Sequence, residues 1–99
     1  MVAISYKTRQ LERACLDERE MKRRYESQVA KGIKLRHTEL RAAGTVDDLL
    51  HGPGRWEVLT GDRAGQWSGR LTGNWRFIIE PTNSDGSEVL VSEIVDYHQ

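Results

Sequence analysis

The chain has a single cysteine, Cys15, so no internal disulfide can brace it and the fold must rest on its hydrophobic core. It has no run approaching the ~18 apolar residues that span a bilayer. Its first residues, Met1-Val2-Ala3-Ile4, pass straight to Ser5-Tyr6-Lys7 without the apolar centre of a secretory signal, so a reducing cytoplasm is the expected compartment. Glycine-rich phosphate loops and a GxSxG nucleophile turn are absent, and no Cys or His pair stands at metal-ligand spacing. His37, His51 and His98 are scattered, so neither a metal nor another cofactor is expected. Net charge is lacking as well. Fifteen Lys and Arg balance fifteen Asp and Glu, which taken alone argues against a polyanion partner.

The balance is a cancellation. Residues 1–43 hold 11 basic and 6 acidic side chains, a net of +5; residues 44–99 hold 4 and 9, a net of −5. Such asymmetry points to a polyanion partner, or else to a basic helical layer packed on an acidic sheet. With 99 residues the chain supports one core, hence one domain over 1–99.

Hydrophobic spacing divides the chain in the same place. Thr8 is placed to cap a helix in which Leu11, Ala14 and Cys15 fall on one face, making Cys15 a small core residue. Met21, Tyr25, Val29, Gly32, Ile33, Leu40 and Ala43 continue at helical period, as two helices or one bent helix ending at Gly44. Thr45-Val46-Asp47-Asp48 has the form of a capping box over a short helical turn. After His51-Gly52-Pro53-Gly54 the period becomes that of strands: Trp56 to Thr60, Trp67 to Leu71, Trp75 to Glu80 and Glu88 to Val95, with Val2–Tyr6 as a further strand. Trp75, Phe77 and Ile79 share a face, and Thr72-Gly73-Asn74 is a hairpin turn. Helices followed by antiparallel strands predict an α+β fold, with N-terminal helices packed on one face of a small, mainly antiparallel sheet. At the C-terminus, Asp96, Tyr97 and His98 bring together an acid, a phenol and an imidazole capable of proton transfer. Polar tails of this kind are also common without function.

Three separated runs carry a resemblance: Leu59-Thr60-Gly61-Asp62-Arg63-Ala64-Gly65-Gln66-Trp67-Ser68, Leu71-Thr72-Gly73-Asn74-Trp75-Arg76, and Glu93-Ile94-Val95-Asp96-Tyr97-His98. In order and spacing they resemble the HigB-type toxins, or plasmid-maintenance killer proteins, of the RelE/ParE superfamily, over essentially the whole chain. The segment from Gln28 to Ala43 is similar to that family's second helix. The resemblance implies a toxin that cleaves mRNA on the ribosome, with a helix-turn-helix antitoxin of the HigA type as partner. DNA would be reached only through that antitoxin, and no membrane is involved. It implies metal-independent cleavage in which the RNA 2′-OH attacks the adjacent phosphate. His98 then matches the general acid, since a histidine side chain is suited to proton donation near neutral pH. Arg76 matches the arginine that steadies the phosphate, with Arg70 as the next candidate, and Tyr97 and Asp96 complete the terminal triplet. Arg63, Lys31, Lys34 and Arg36 are further candidates for holding RNA. Arg70 and Arg76 have a second reading as surface charges paired with Asp62, Glu80 or Glu93.

The chain departs from the family pattern at three places. Where relatives carry a His before the Leu-Lys-Gly-Asp run there is Glu57; the Lys before Gly-Asp is Thr60, and the Lys of the turn is Ala64. The site has lost positive charge and gained a carboxylate, which weakens its hold on phosphate. Two readings follow. Glu57 is the working base, an arrangement that resembles the YoeB branch of the superfamily, or the chain is a weakened toxin-like module that binds its partner. A ParE-like inhibitor of DNA gyrase, acting by binding alone, is a third.

Overall fold

A computed structural model describes residues 1–96. Strand β1 (Ala3–Tyr6) leads into helices α1 (Arg9–Leu16), α2 (Glu18–Arg24) and α3 (Ser27–Ala42), then a 3-10 turn at Val46–His51. Strand β2 (Glu57–Val58), a 3-10 turn at Gly61–Arg63, and strands β3 (Trp67–Arg70), β4 (Trp75–Pro81) and β5 (Glu88–Asp96) follow. The sheet order is β1-β5-β4-β3-β2. All neighbours are antiparallel except β1 and β5, so the N-terminal strand lies parallel to the C-terminal one at an edge. The α+β expectation holds.

Three helices stand where the spacing predicted two or a single bent one, and Asp17 is the reason. Its N–H donates to Arg13 O at 2.9 Å, closing α1, while its Oδ1 accepts from the amides of Arg19 and Glu20 to open α2. A short acidic side chain that bonds the local backbone competes with helix continuation. Thr8 caps α1, its Oγ1 accepting from Leu11 N at 3.1 Å. Asp48 Oδ2 accepts from Gly44 N and Thr45 N, as the capping-box pattern predicted, and these bonds hold its carboxyl below the usual range. The strand expected from Trp56 to Thr60 is reduced to Glu57–Val58. Trp56 turns inward instead: it is buried, packs edge-on to Phe77 with ring centres 6.2 Å apart, and donates from Nε1 to Glu39 Oε1 at 2.9 Å.

The core lies between α3 and one face of the sheet. Val29, Ile33 and Leu40 from α3 meet Phe77, Ile79, Val89 and Val91, all almost completely buried. Cys15 is buried among them, as expected, and burial pushes its thiol up to about 12. Gly32 lets the helix reach the sheet: a Cβ there would sit 2.7 Å from the carbonyl oxygen of Leu71 and 2.8 Å from its Cα. Backbone cannot give way as a flexible side chain can. Gly69 plays the matching part in the sheet, where a Cβ would stand 2.8 Å from the Trp56 ring. No helix among the described residues is long and apolar enough to cross a membrane.

One core polar pair was not foreseen. Tyr6 on β1 and His37 on α3 share a hydrogen bond of 2.7 Å, with His37 only 4% exposed. Burial, and then the positive charge of Arg41, hold His37 below its ordinary pKa; burial, then Cys15 and Glu12, push Tyr6 up to about 12.

Two outcomes are expected. Gly32→Ala should cost about 1–3 kcal/mol of unfolding free energy in urea titration, the usual penalty of overpacking. The neutral His37 of the folded state binds a proton less readily than the unfolded chain does. Its contribution is therefore complete above the ordinary histidine pKa of about 6.5 and is lost as pH falls below it. Denaturation across that window should show stability declining towards acid, and His37→Gln should flatten the slope.

Candidate RNA-cleaving face

Side chains alternate along a strand, and residues paired across strands share a face. With Phe77 and Ile79 on the helical side, Arg76, Ile78 and Glu80 of β4 point to the other. The register then builds that opposite face in rows. One row runs Glu57–Ser68–Ile78–Glu93 from β2 to β5, and the next runs Arg70–Arg76–Val95. Glu57, Arg70 and Arg76, predicted as base and phosphate contacts, therefore share the face away from the helices. Glu57 and Arg70 are diagonal neighbours across β2 and β3, about 7 Å apart by strand geometry. Asp96 pairs with Trp75 and so belongs to the helical side, apart from these three. Tyr97 and His98 lie outside the described residues.

Arg70 and Arg76 stand directly opposite each other, an arrangement of like charges that opposes strand pairing. Arg76 is half-buried and anchored: its Nη1 donates to Thr72 O at 2.7 Å and Trp75 O at 3.0 Å, across the hairpin turn. That leaves Nε and Nη2 as further donors on a guanidinium already fixed in place. Arg70 is exposed, and among the described residues no carboxylate pairs with it. The expected pairings of Arg70 or Arg76 with Asp62, Glu80 or Glu93 do not form among the described residues. Arg63 takes the carboxylate instead, its Nη1 lying 3.0 Å from Glu93 Oε1 and 2.9 Å from Gln66 Oε1. Gln66 Nε2 reaches on to Glu80 Oε2 at 3.5 Å. This chain of polar groups crosses the face that holds Ile78, which is fully buried although it points away from the helices. Nothing local in the sequence announces the pair, because Arg63 and Glu93 are thirty residues apart and meet only once the sheet is built.

The remaining predicted contacts divide. Lys31 is exposed on α3. Lys34, also exposed, is bound to Glu18 at 2.7 Å. Arg36 is largely buried: its Nε lies 3.2 Å from Glu39 Oε1 and its Nη1 donates to Arg70 O at 3.3 Å. Its guanidinium ties α3 to β3 beneath the arginine row and is not presented to solvent. Further basic charge of the helical half is met locally, since Arg23 and Arg24 both hold Glu20. Among the described residues no group of three His, Cys, Asp or Glu could hold a metal ion. A groove of about 520 Å³ opens on the helical side, lined by Tyr6, Leu16, His37 and Arg41 among others; none of the predicted site residues lines it.

No profile of a known protein family matches the chain, and no curated protein sequence does. Solved structures do. The chain is similar to a YoeB/ParE toxin from Agrobacterium tumefaciens at 23% identity, covering 99% of this chain and 100% of that one with a TM-score of 0.61. It is similar to a YoeB-YefM complex from Staphylococcus aureus at 18% identity, covering 100% and 99% with a TM-score of 0.62. YafQ from E. coli, solved as a point mutant, matches at 15% identity over 97% and 93%, with a TM-score of 0.59. The fold is that of the RelE/ParE-like toxins.

Arg76→Ala should remove both carbonyl contacts at the hairpin and cost about 1 kcal/mol. Faster hydrogen exchange at the amides of Leu71 and Thr72, which both bond to Trp75 O, would show the turn loosening.

Proposed function

We propose that this protein is the toxin of a toxin–antitoxin pair and cleaves mRNA on the ribosome, using the sheet face that carries Glu57, Arg70 and Arg76. The observation that carries the reading is the cross-strand arginine pair, set diagonally to a carboxylate on an edge strand. Two opposed guanidiniums invite an anion between them, and a phosphodiester supplies one. The full-length likeness to toxins, one of them solved with YefM, supports the class. The three sequence runs favour the HigB type, and with it a helix-turn-helix antitoxin of the HigA type as partner.

The chemistry needs few groups. Glu57 takes the proton of the 2′-OH as O2′ attacks phosphorus. The P–O5′ bond breaks, and His98 gives a proton to the departing O5′, leaving a 2′,3′-cyclic phosphate and a 5′-hydroxyl. Arg76 and Arg70 meet the charge that builds on the phosphate oxygens, and because Arg76 is already anchored it needs little reorganisation to do so. Tyr97 and Asp96 are assigned to the same terminal segment as His98. Lys31 is placed to meet ribosomal RNA from the helical side, with Lys34 beside it once Glu18 is exchanged for phosphate. Arg36 acts from beneath, by holding the carbonyl of Arg70.

Glu57→Gln and His98→Ala should each abolish growth arrest on induction in a bacterial host, together with message cleavage seen by primer extension. If both variants remain toxic, these roles are wrong. Toxicity that persists without cleavage, with loss of supercoiling by purified gyrase, would establish the binding-only alternative instead.

A further inference from the structure

Arg63 and Glu93 lie on the face assigned to RNA, yet neither belongs to the base, the acid or the arginine row. Their ion pair is 3.0 Å long and open to water, with side chains 30% and 44% exposed. An exposed pair of this kind is worth roughly 0–1 kcal/mol. A phosphate oxygen makes an equally short, charge-assisted bond to a guanidinium and carries the same sign of charge as the carboxylate. Glu93 stands at the β5 end of the row that begins with Glu57, and one row from Arg76. Arg63 reaches it from the turn before β3, and the same Nη1 also donates to Gln66 Oε1.

We propose that Glu93 is an internal stand-in for RNA phosphate. In the free protein its carboxylate holds Arg63 against the sheet, and a phosphodiester of the bound single-stranded message takes its place. Gln66 keeps Arg63 positioned while its acidic partner is exchanged, so the guanidinium moves from carboxylate to phosphate without leaving the face. Arg63 then binds the message beside the cleaved bond, and Glu93 sets how strongly RNA must compete for it. The idea rests on the RNA-cleaving reading above and adds to it a prediction of opposite sign from the usual one: removing a side chain from the site strengthens binding.

The test is equilibrium binding of labelled protein to 70S ribosomes programmed with a 2′-O-methylated message that cannot be cut, over a range of salt. Glu93→Gln should tighten binding by up to about fivefold, the ratio equivalent to the upper worth of an exposed ion pair. The slope of the salt dependence should stay close to that of wild type, because Arg63 meets the same phosphate in both proteins. Arg63→Ala should weaken binding and make the slope shallower, and Arg63→Ala/Glu93→Gln should match Arg63→Ala alone. Glu93→Asp, whose carboxylate is drawn back by one methylene, should fall between wild type and Glu93→Gln. This variant keeps the comparison intact if Glu93→Gln folds poorly in thermal melts.

Equal tightening by Glu93→Gln with and without Arg63 would overturn the proposal, since the gain would then be a general loss of negative charge. Unchanged affinity in Glu93→Gln and Glu93→Asp would overturn it as well. If the wild type and every variant fail to bind programmed ribosomes while remaining folded, the RNA-cleaving reading itself falls, and the exchange falls with it.

Discussion

Helix α3 touches the backbone of the sheet at Gly32, and the rest of the molecule is arranged around that contact. With no Cβ between them, helix and Leu71 meet at a distance that a methyl group would prevent. One and two turns further along, Arg36 and Glu39 use the same approach, one reaching the carbonyl of Arg70 and the other the indole of Trp56. Each depends on the helix lying close. Together they fix where β3 ends, hence where the hairpin to β4 begins, and so the direction in which Arg70 and Arg76 leave the sheet. A contact in the core thereby sets the geometry of the opposite face.

Charge is distributed through the fold to match. Part of the cationic charge of the first half is met on the helices. Glu18 and Glu20 draw in Lys34, Arg23 and Arg24, and Arg36 is turned inward to Glu39. The acidic second half gathers three of its four arginines on one face, where Arg70 and Arg76 oppose each other and Arg63 is met by Glu93. A neutral chain thus sets two opposed arginines among carboxylates on one face, and the sign of a whole half proves a poor guide to where charge gathers.

Much of the architecture was legible because it rests on periodicity. The alternation of Trp75, Phe77 and Ile79 located both β4 and its buried face, and the Thr8 and Asp48 caps were visible from residue type and spacing. Asp17 was not, since an acidic residue in a charged helical stretch looks like one more solvated position until its side chain is seen bonding two amides. Trp56 misled in another way: its alternation with Val58 suggested a longer strand, but a large ring with a buried acceptor at Glu39 gains more by folding inward. At the candidate site, the sequence motifs brought Glu57, Arg70 and Arg76 to one face. The partners of Arg63 and Arg36 were hidden, because they depend on contacts thirty and thirty-four residues apart.

The parallel pairing of β1 with β5 has a kinetic consequence. Ser5 bonds to Val89, eighty-four residues away, so β1 has no sheet neighbour until β5 has been made. Helices α1 to α3 can form from local contacts, but the edge on which β1 rests is assembled only once β5 has been made. Closing so large a loop is slow compared with winding a helix. Between the making of α3 and that of β5 there is an interval in which the helices exist without a complete sheet.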